Sequence, residues 1–314
     1  YALVFSGSRT FDMTGAALRQ AGFIMNPFIA WIFGSGFPKA HKVDSEEWKG
    51  WRYGGQALKP AIEPILMVQK PFSEKTGTAN VLKHGTGALN IDGCRIETDE
   101  STKRYSYEVK TSKGTPGGAF GNQERIIHHS DKLFPSGGSS FGRWPANVIL
   151  EDSEEVREGF PQTGIGQIGG NNDPNGTMGY HGGAKGKSFP GITDSGSASR
   201  FFYTAKADAD DRWGSKHPTV KPVDLIAYLC RLVTPPNGIC LDPFAGTGTT
   251  GEACMREGFN AVLIEREAEY VADIKERIAF CEGKAKHSVS SRGRHADKAK
   301  AKGDDTPLFR GNPA

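Results

Sequence analysis

The sequence is poor in the features that mark secreted, membrane and metal-binding proteins. Its 314 residues include five cysteines, none of them in a Cys-x-x-Cys pair. Three of the five fall at expected apolar helix or strand positions, so buried free thiols in a reducing cytoplasm are expected and a disulfide framework is not. No apolar run is long enough to span a membrane, and no signal peptide is visible.

Histidine and net charge point to neither a metal nor a strongly charged partner. Four histidines lie in glycine-rich or polar loops without ligand spacing, so no metal site is expected. They are His84, His128, His129 and His181. The formal net charge is only +3, but the segment 283–314 is strongly basic. This tail is either a solvated disordered end or a weak phosphate-binding segment.

A strand, a glycine turn and a helix follow one another in the C-terminal third. Ile239-Cys240-Leu241 is a short apolar strand. Gly246 and Gly248 let the backbone turn tightly and approach a ligand closely. The helix predicted over Thr249 to Glu257 ends at Gly258, a residue suited to a left-handed cap.

A second buried strand, Asn260 to Ile264, follows this helix and ends at Glu265. An acid at the end of that strand is well placed to accept hydrogen bonds from both hydroxyls of a ribose. The strand, turn, helix, second strand and acid follow one another in the order and spacing of a ligand site, so a glycine turn without a ligand explains this pattern poorly. The block predicts a nucleoside-binding site.

The same turn satisfies the G-x-G-x-x-G pattern of dinucleotide-dependent dehydrogenases, from Gly246 to Gly251. A dehydrogenase binds a pyrophosphate at the N-terminus of the helix. Asp242, one residue past the strand, places a carboxylate near that position and would repel a pyrophosphate. It suits the cationic end of S-adenosylmethionine, which has no phosphate, so a methyltransferase site is favoured.

His-Pro-Thr-x-Lys-Pro over 217–222, followed by Asp-Pro-Phe-x-Gly-x-Gly-Thr over 242–249, resembles the amino-DNA methyltransferases. These enzymes methylate N6 of adenine or N4 of cytosine with S-adenosylmethionine, and in circularly permuted members the cofactor half follows the catalytic half. Further segments resemble a branch common in phages and prophages, which implies a bacterial or phage-infected host cell. They are 3–39, 56–70, 142–150 and 199–206.

This resemblance implies an α/β fold, a three-layer sandwich with a mostly parallel sheet, interrupted by an irregular recognition insert. It also implies roles for the residues of the C-terminal block. Glu265 would hold the ribose hydroxyls, Thr219 and Lys221 would approach the cofactor, and His217 would support their turn. The residues expected along the methionine and ribose part are Asp242, Phe244, Gly246, Gly248 and Thr249.

The chain divides into four segments by this interpretation. Residues 1–70 form an incomplete catalytic half, with a strand over 1–5, a helix over 11–20, a strand over 23–33 and an antiparallel strand over 61–68. Residues 71–198 are an inserted target-recognition element or a disordered insertion, with ordered patches at 81–96 and 144–156. Residues 199–282 are the cofactor half, and 283–314 the tail. Arg143, Trp144 and Arg200 are expected to contact double-stranded DNA through phosphates and stacking.

The family's catalytic tetrapeptide, Asp/Asn/Ser-Pro-Pro-aromatic, does not occur in the sequence. In the permuted order it would lie upstream of Tyr1, so the chain is expected to be a fragment that does no methyl transfer alone. Ser6, Gly7 and Arg9, at the end of the first strand, are expected to face the pocket for a flipped base, with Arg9 alternatively on a backbone phosphate. Adenine is slightly favoured over cytosine by the resemblance.

Two rival functions stay open, a non-catalytic DNA-binding module with the cofactor fold and a methyltransferase that acts on RNA or protein. Strong salt dependence with duplex DNA would separate DNA from other substrates. The tail ends in Asp304 to Phe309, which faintly resembles terminal peptides that bind replication sliding clamps but lacks their glutamine. A weak clamp contact is a minor expectation.

Overall fold

The computed structural model describes residues 1–98, 104–113, 125–137, 142–164, 195–205, 209–212, 215, 217 and 219–284. The chain divides into two compact units. Unit 1 comprises Tyr1–Pro71 and Ile91–Thr204, and unit 2 comprises Phe72–Asn90 and Ala205–Ala314. Segment 165–194 and nearly all of the basic tail lie outside the described residues, so the expectations placed on them are untested.

In the described part of the chain, five strands follow one another between the first two α-helices, and strands alternate with helices only in the C-terminal third. The strands are β1 (Ala2–Phe5), β2 (Ile24–Met25), β3 (Ile29–Ile32), β4 (Lys39–Lys42), β5 (Arg52–Gln56), β6 (Ile62–Gln69), β7 (Arg104–Lys113), β8 (Arg125–Gly137), β9 (Val148–Glu151), β10 (Gln162–Thr163), β11 (Gly196–Ser197), β12 (Tyr203–Ala205), β13 (Ile239–Asp242) and β14 (Asn260–Leu263). The α-helices are α1 (Phe11–Gln20), α2 (Gly77–His84), α3 (Glu154–Glu158), α4 (Val223–Val233), α5 (Thr249–Glu257) and α6 (Ala268–Cys281).

Unit 1 is built on a six-stranded sheet with the strand order β1-β6-β3-β9-β12 and with β2 also paired to β6. β6 is antiparallel to β1, β2 and β3, and β3 is parallel to β9. β1, β2, β3 and β9 therefore share one direction, and β6 runs against them. The predicted α/β class with a mostly parallel sheet and an antiparallel strand near 61–68 is confirmed.

The core of unit 1 lies along its central strands. Ile65 and Val68 of β6 and Ile149 and Leu150 of β9 are fully buried. α1 packs on this sheet through Gly15. The helix comes so close there that a Cβ added at Gly15 would touch the side chains of Met25 and Leu66. The apolar runs of these strands supply the burial that holds the helix in place.

One strand prediction differs from the structure in unit 1, and one strand of its sheet was not predicted. The predicted strand over 23–33 is divided into β2 and β3, because Pro27 lies between them and has no N–H to donate to a neighbouring strand. β9 falls inside the predicted insert, yet it pairs with β3 as part of the main sheet. Residues 72–90 fall in unit 2 rather than with the rest of the predicted insert. The division into a catalytic half, a recognition insert and a cofactor half stays a prediction.

Unit 2 contains a parallel pair of strands, β13 and β14, connected through α5. α4 packs against α5 and buries Leu225, Tyr228 and Leu229, while α5 packs on β14 and α6. The predicted bounds of α4 and α5 agree with the observed ones, and the predicted left-handed cap at Gly258 is confirmed by its φ of 76°. Among the described residues, no helix combines the length and apolar character that a membrane crossing requires.

Candidate functional site

The first element of the site is the turn that joins β13 to α5. The Asp242 carboxylate accepts a hydrogen bond from the Phe244 backbone N–H at 3.0 Å through Oδ1. Its Oδ2 accepts one from the Thr250 hydroxyl at 2.5 Å. Asp242 thereby fixes the turn to the first turn of the helix, and a negative charge lies beside the helix N-terminus. Phe244, in the same turn, is 88% exposed.

The glycines of the turn are required by close packing. Gly246 and Gly248 have φ values of 51° and 82°, in the left-handed region that glycine adopts without strain. A Cβ at Gly246 would lie 3.3 Å from Nε2 of His217, and one at Gly248 would lie 3.1 Å from Cγ1 of Ile274. Gly251 lets α5 approach the sheet, since a Cβ there would come within 2.7 Å of Leu263 and 2.9 Å of Ile278.

Glu265 lies two residues past the end of β14, and its carboxylate accepts hydrogen bonds from three backbone N–H groups. Oε2 accepts from Gly246 at 2.8 Å, and Oε1 accepts from Arg266 at 2.8 Å and Glu267 at 3.0 Å. The hydrogen bond from the Glu267 N–H, with those from Gly246 and Arg266 and the nearby His217, lowers the pKa of Glu265 below its usual value. The side chain is thus held as an oriented anion against the glycine turn.

His217, which precedes α4 in the sequence, lies against this turn within unit 2. The His217 ring packs edge-on against Tyr270 with centroids 4.6 Å apart, and its Nδ1 accepts a hydrogen bond from the Thr219 N–H at 3.3 Å. Thr219 is exposed and Lys221 is half-buried. The structure therefore brings His217, Gly246 and Glu265 together. The approach of Thr219 and Lys221 to the cofactor, with His217 supporting their turn, stays a prediction.

Thr249 belongs to a buried network that the sequence did not predict. Its hydroxyl accepts a hydrogen bond from Arg277 Nη1 at 2.9 Å, and Arg277, fully buried on α6, also donates to the Asp211 carbonyl. The same guanidinium lies 3.6 Å from Glu252, which pairs with Arg256 at 2.6 Å. Thr249 therefore ties α6 to the start of α5, and its hydroxyl faces the protein interior. No signal in the sequence indicates that Arg277 is buried, because it stands among other charged residues of α6.

At the end of β1, Ser6, Gly7 and Arg9 make contacts within unit 1. Ser6 is buried, and its hydroxyl is 3.1 Å from that of Thr14 on α1. The Gly7 carbonyl accepts hydrogen bonds from the N–H groups of Thr10 and Phe11 at 3.0 Å each. The Arg9 guanidinium lies in close contact with Gly55 of β5. Ser6 and Gly7 thus shape the start of α1, and a role toward a base stays a prediction.

Arginine and aromatic side chains meet elsewhere in unit 1, in a group that we call the Arg-aromatic patch. The guanidinium carbons of Arg143 and Arg200 lie 5.3 Å and 4.4 Å from the ring centroid of Phe201. Arg95, which the sequence did not single out, lies 5.1 Å from the Trp144 ring. Arg200 also donates to the carbonyls of Gly196 and Ser197 at 2.7 Å each. The structure therefore places Arg143 and Arg200 on one ring and leaves Trp144 65% exposed.

A second group of exposed aromatics lies on and between β4 and β5, in a stretch that the sequence marked only as polar. Trp48 and Trp51 are exposed and pack edge to face with centroids 5.4 Å apart, and His41 lies 5.4 Å from Tyr53. Basic residues interleave with these rings, which is the only signal that the sequence offered for them. They are Lys39, Lys42, Lys49 and Arg52.

A glycine turn between parallel strands, a helix and a fixed acid after the second strand form the arrangement that doubly wound α/β proteins use at nucleotide sites. The chain belongs to the DNA methylase family, since the family model for N6/N4 DNA methylases matches residues 2–276. This membership confirms the family predicted from the motifs at 217–222 and 242–249.

Individual relatives share shorter stretches with this chain. It is 38% identical over 68 residues to the type II methyltransferase M2.LlaDCHI of Lactococcus lactis subsp. cremoris, a match that covers 22% of this chain and 25% of that protein. It is 41% identical over 76 residues to the type II methyltransferase M.HinfI of Haemophilus influenzae, covering 24% and 21%. The matched stretches thus span a quarter or less of each curated relative.

Solved structures with a similar chain course are more distant. The cytosine-N4-specific PvuII DNA methyltransferase is 13% identical, with 90% of this chain and 59% of that chain covered and a TM-score of 0.39. The complex of M1.HpyAVI with SAM is 16% identical, with 88% and 72% covered and a TM-score of 0.36.

Proposed function

We propose that the turn of unit 2 binds S-adenosylmethionine. We further propose that the protein containing this chain transfers the methyl group to an exocyclic amino nitrogen of a base in double-stranded DNA. Membership in the DNA methylase family supports the reaction class. The cofactor proposal rests on one observation, the Glu265 carboxylate that three backbone N–H groups hold at the end of β14.

The hydrogen bonds of Glu265 leave room for a ribose hydroxyl. A carboxylate offers about four acceptor positions, two on each oxygen. Oε1 accepts two N–H groups and Oε2 accepts one, so a position on Oε2 can accept a further donor. Because the backbone already orients the carboxylate, binding a hydroxyl there costs little ordering of the side chain.

The charge beside the turn separates the two cofactor classes that fit its glycine pattern. Asp242, the last residue of β13, lies beside the N-terminus of α5, and Glu265 contacts Gly246 of the same turn. The Asp242 carboxylate at this place repels a pyrophosphate and attracts the cationic sulfonium and amino groups of S-adenosylmethionine. The acidic turn therefore favours the methyl donor over a nicotinamide dinucleotide.

Calorimetric titration of the chain with S-adenosylmethionine and, separately, with NAD⁺ tests this proposal. Saturable one-to-one binding of S-adenosylmethionine with no heat of binding from NAD⁺ is the expected result. Binding of NAD⁺ at equal or higher affinity would overturn the assignment and restore the dehydrogenase alternative.

The Arg-aromatic patch supports double-stranded DNA as the substrate. Guanidinium groups bind backbone phosphates, and an exposed Trp144 ring offers a face on which a base can stack. Chemistry on an exocyclic amine requires the base to leave the duplex stack, which makes a flipped base the expected substrate. Adenine N6 is favoured over cytosine N4 by the sequence resemblance alone.

Methyl transfer by residues 1–314 alone is not expected, since the sequence contains no Asp/Asn/Ser-Pro-Pro-aromatic segment. Such a segment would accept the hydrogens of the amine and stack on the base. Incubation of the chain with tritiated S-adenosylmethionine and duplex DNA tests this expectation, and transfer of label to DNA would contradict it.

The same missing segment favours the second candidate function, a DNA-binding module without catalysis. DNA binding with no transfer even after the upstream coding sequence is included would support that module.

A further inference from the structure

Three of the five cysteines meet inside unit 2, although they are well separated in the sequence. Cys230 lies in the last turn of α4, Cys240 in β13 and Cys254 in α5. Their three Sγ atoms all lie within 4.8 Å of one another, and those of Cys230 and Cys254 are 3.9 Å apart. Cys230 and Cys254 are buried, and Cys240 is half-buried. We call this group the cysteine cluster.

The sulfur spacing matches that of ligands around one metal ion. Zinc–sulfur bonds are about 2.3 Å long, so three thiolates on one ion lie roughly 3.8 to 4.0 Å apart. The 3.9 Å between Cys230 and Cys254 already has this value, and the remaining separations need to close by less than about 1 Å. Thiolates are soft ligands, which select zinc and copper(I) over magnesium or calcium.

A hydroxyl outside the cluster lies beside one of its sulfurs. The Thr234 hydroxyl is 3.1 Å from Cys240 Sγ, so this sulfur already has a hydrogen-bond partner besides the other two thiols. Hydrogen bonds of this kind orient metal ligands in known sites. Because only a thiolate coordinates a metal ion, binding at the cluster would release thiol protons.

We propose that Cys230, Cys240 and Cys254 form a three-thiolate site for a thiophilic metal ion, with Zn²⁺ as its representative. The three sulfurs would fill three of the four positions that zinc prefers and leave one for water. Thr234 would keep its hydrogen bond to the Cys240 sulfur and orient that ligand. The ion would fasten the end of α4 to α5 and to β13, the strand that leads into the Asp242 turn.

Zn²⁺ binding to the full chain tests the site. The chain is purified under reducing conditions, stripped with a chelator and titrated with Zn²⁺ against a chromophoric competitor. One Zn²⁺ per chain, released protons and a higher melting temperature are expected. Cys240→Ser should weaken binding by roughly 100-fold or more, beyond the 10- to 100-fold typical of outer-shell changes. Cys94→Ser, buried in unit 1 and outside the cluster, should bind as the wild type does.

A second measurement uses only the wild-type chain and does not depend on a variant that folds. Alkylation of thiols, mapped by peptide mass spectrometry, should be slowed by Zn²⁺ at Cys230, Cys240 and Cys254. The rates at Cys94 and Cys281, which lie outside the cluster, should fall much less. Equal protection of all five thiols, no protection, or unchanged Zn²⁺ affinity in Cys240→Ser would overturn the proposal. None of these readouts depends on S-adenosylmethionine or DNA, so the metal site and the proposed function can fail separately.

Discussion

At the scale of single residues, Glu265 is the group on which cofactor binding should depend most. Glu265→Gln keeps the shape of the side chain but removes its charge and turns an NH₂ group toward backbone N–H donors. A hydrogen bond to a charged group contributes about 1.5 to 3 kcal/mol, so affinity for S-adenosylmethionine should fall by at least about tenfold. Isothermal titration calorimetry measures this loss. Glu269→Gln, exposed in the first turn of α6, is the matched control, and equal affinities of the two variants would contradict the role of Glu265.

The lowered pKa of Glu265 predicts that the stability of the protein depends on pH. The backbone N–H of Glu267, more than any other group, lowers the pKa of Glu265 from its ordinary value of 4.5. A carboxylate with a depressed folded-state pKa stabilises the protein above its unfolded pKa, and this contribution is lost as pH falls through the folded pKa. The wild type should therefore exceed Glu265→Gln in its urea midpoint near neutral pH, and the two should converge well below pH 4.5. A difference that persists unchanged in strong acid would contradict this account.

At the scale of elements, Arg277 connects α6 to α5 and to the Asp211 carbonyl, and its side chain is fully buried. Arg277→Met removes the guanidinium and leaves Thr249 and Glu252 without one of their partners. Loss of one member of a buried pair typically costs about 3 to 5 kcal/mol. Because Arg256 still pairs with Glu252 in the variant, we expect a loss of unfolding free energy near the lower end of this range. Chemical denaturation of the purified variant measures the change in unfolding free energy.

The control for this prediction lies on the surface of the same unit. Arg266 has a side chain 91% exposed that pairs with Glu267, so Arg266→Met should change stability by about 0.5 kcal/mol or less. The double variant Arg277→Met with Glu252→Gln should recover part of the loss, because it no longer buries a carboxylate short of partners. An Arg277→Met variant as stable as Arg266→Met would show that the network is not needed.

Elements with local signals were predictable from the sequence, and long-range pairings were not. α1, α4 and α5 have the predicted bounds because each carries its own signal, such as Pro222 before α4 or Gly258 after α5. β9 pairs with β3, which lies more than one hundred residues away in the sequence, and nothing in the short run Val148–Glu151 indicates this partner. The cysteine cluster was missed for the same reason, since 230, 240 and 254 have no ligand spacing and meet only after α4 and α5 pack.

The candidate site shows the same division between local and tertiary information. Glu265 and the glycines at 246 and 248 follow a register that the sequence displays, and the structure places them together. Arg277 and Arg95 took no part in any motif, and their contacts depend on α6 and on the approach of Trp144. The contact of the Ser6 hydroxyl with Thr14 was not predicted, because it depends on α1 folding back over the end of β1, and the role of Ser6 toward a base stays a prediction.

At the scale of the whole molecule, the family model extends over residues of both units, and the proposed DNA contact is a property of unit 1. Trp144 and Arg143 should affect DNA binding in different ways, because one offers a stacking face and the other a charge. Trp144→Ala should weaken duplex binding by about 1 to 3 kcal/mol with an unchanged salt slope. Arg143→Ala should lower the slope of log affinity against log salt by about 1, since one phosphate contact is lost.

Fluorescence anisotropy of a labelled duplex over a series of salt concentrations measures both quantities in one experiment. Leu82→Ala is the control, a change at an apolar side chain on α2 that is 83% exposed and outside the Arg-aromatic patch. A loss of affinity at Trp144 that grows as salt falls would indicate lost charge rather than lost stacking. No change in either variant would remove the Arg-aromatic patch from the interface and direct attention to Trp48 and Trp51, which carry exposed rings among lysines and Arg52. The salt slope therefore tests whether the Arg-aromatic patch contacts DNA, because a substitution changes this slope only where a phosphate contact is lost.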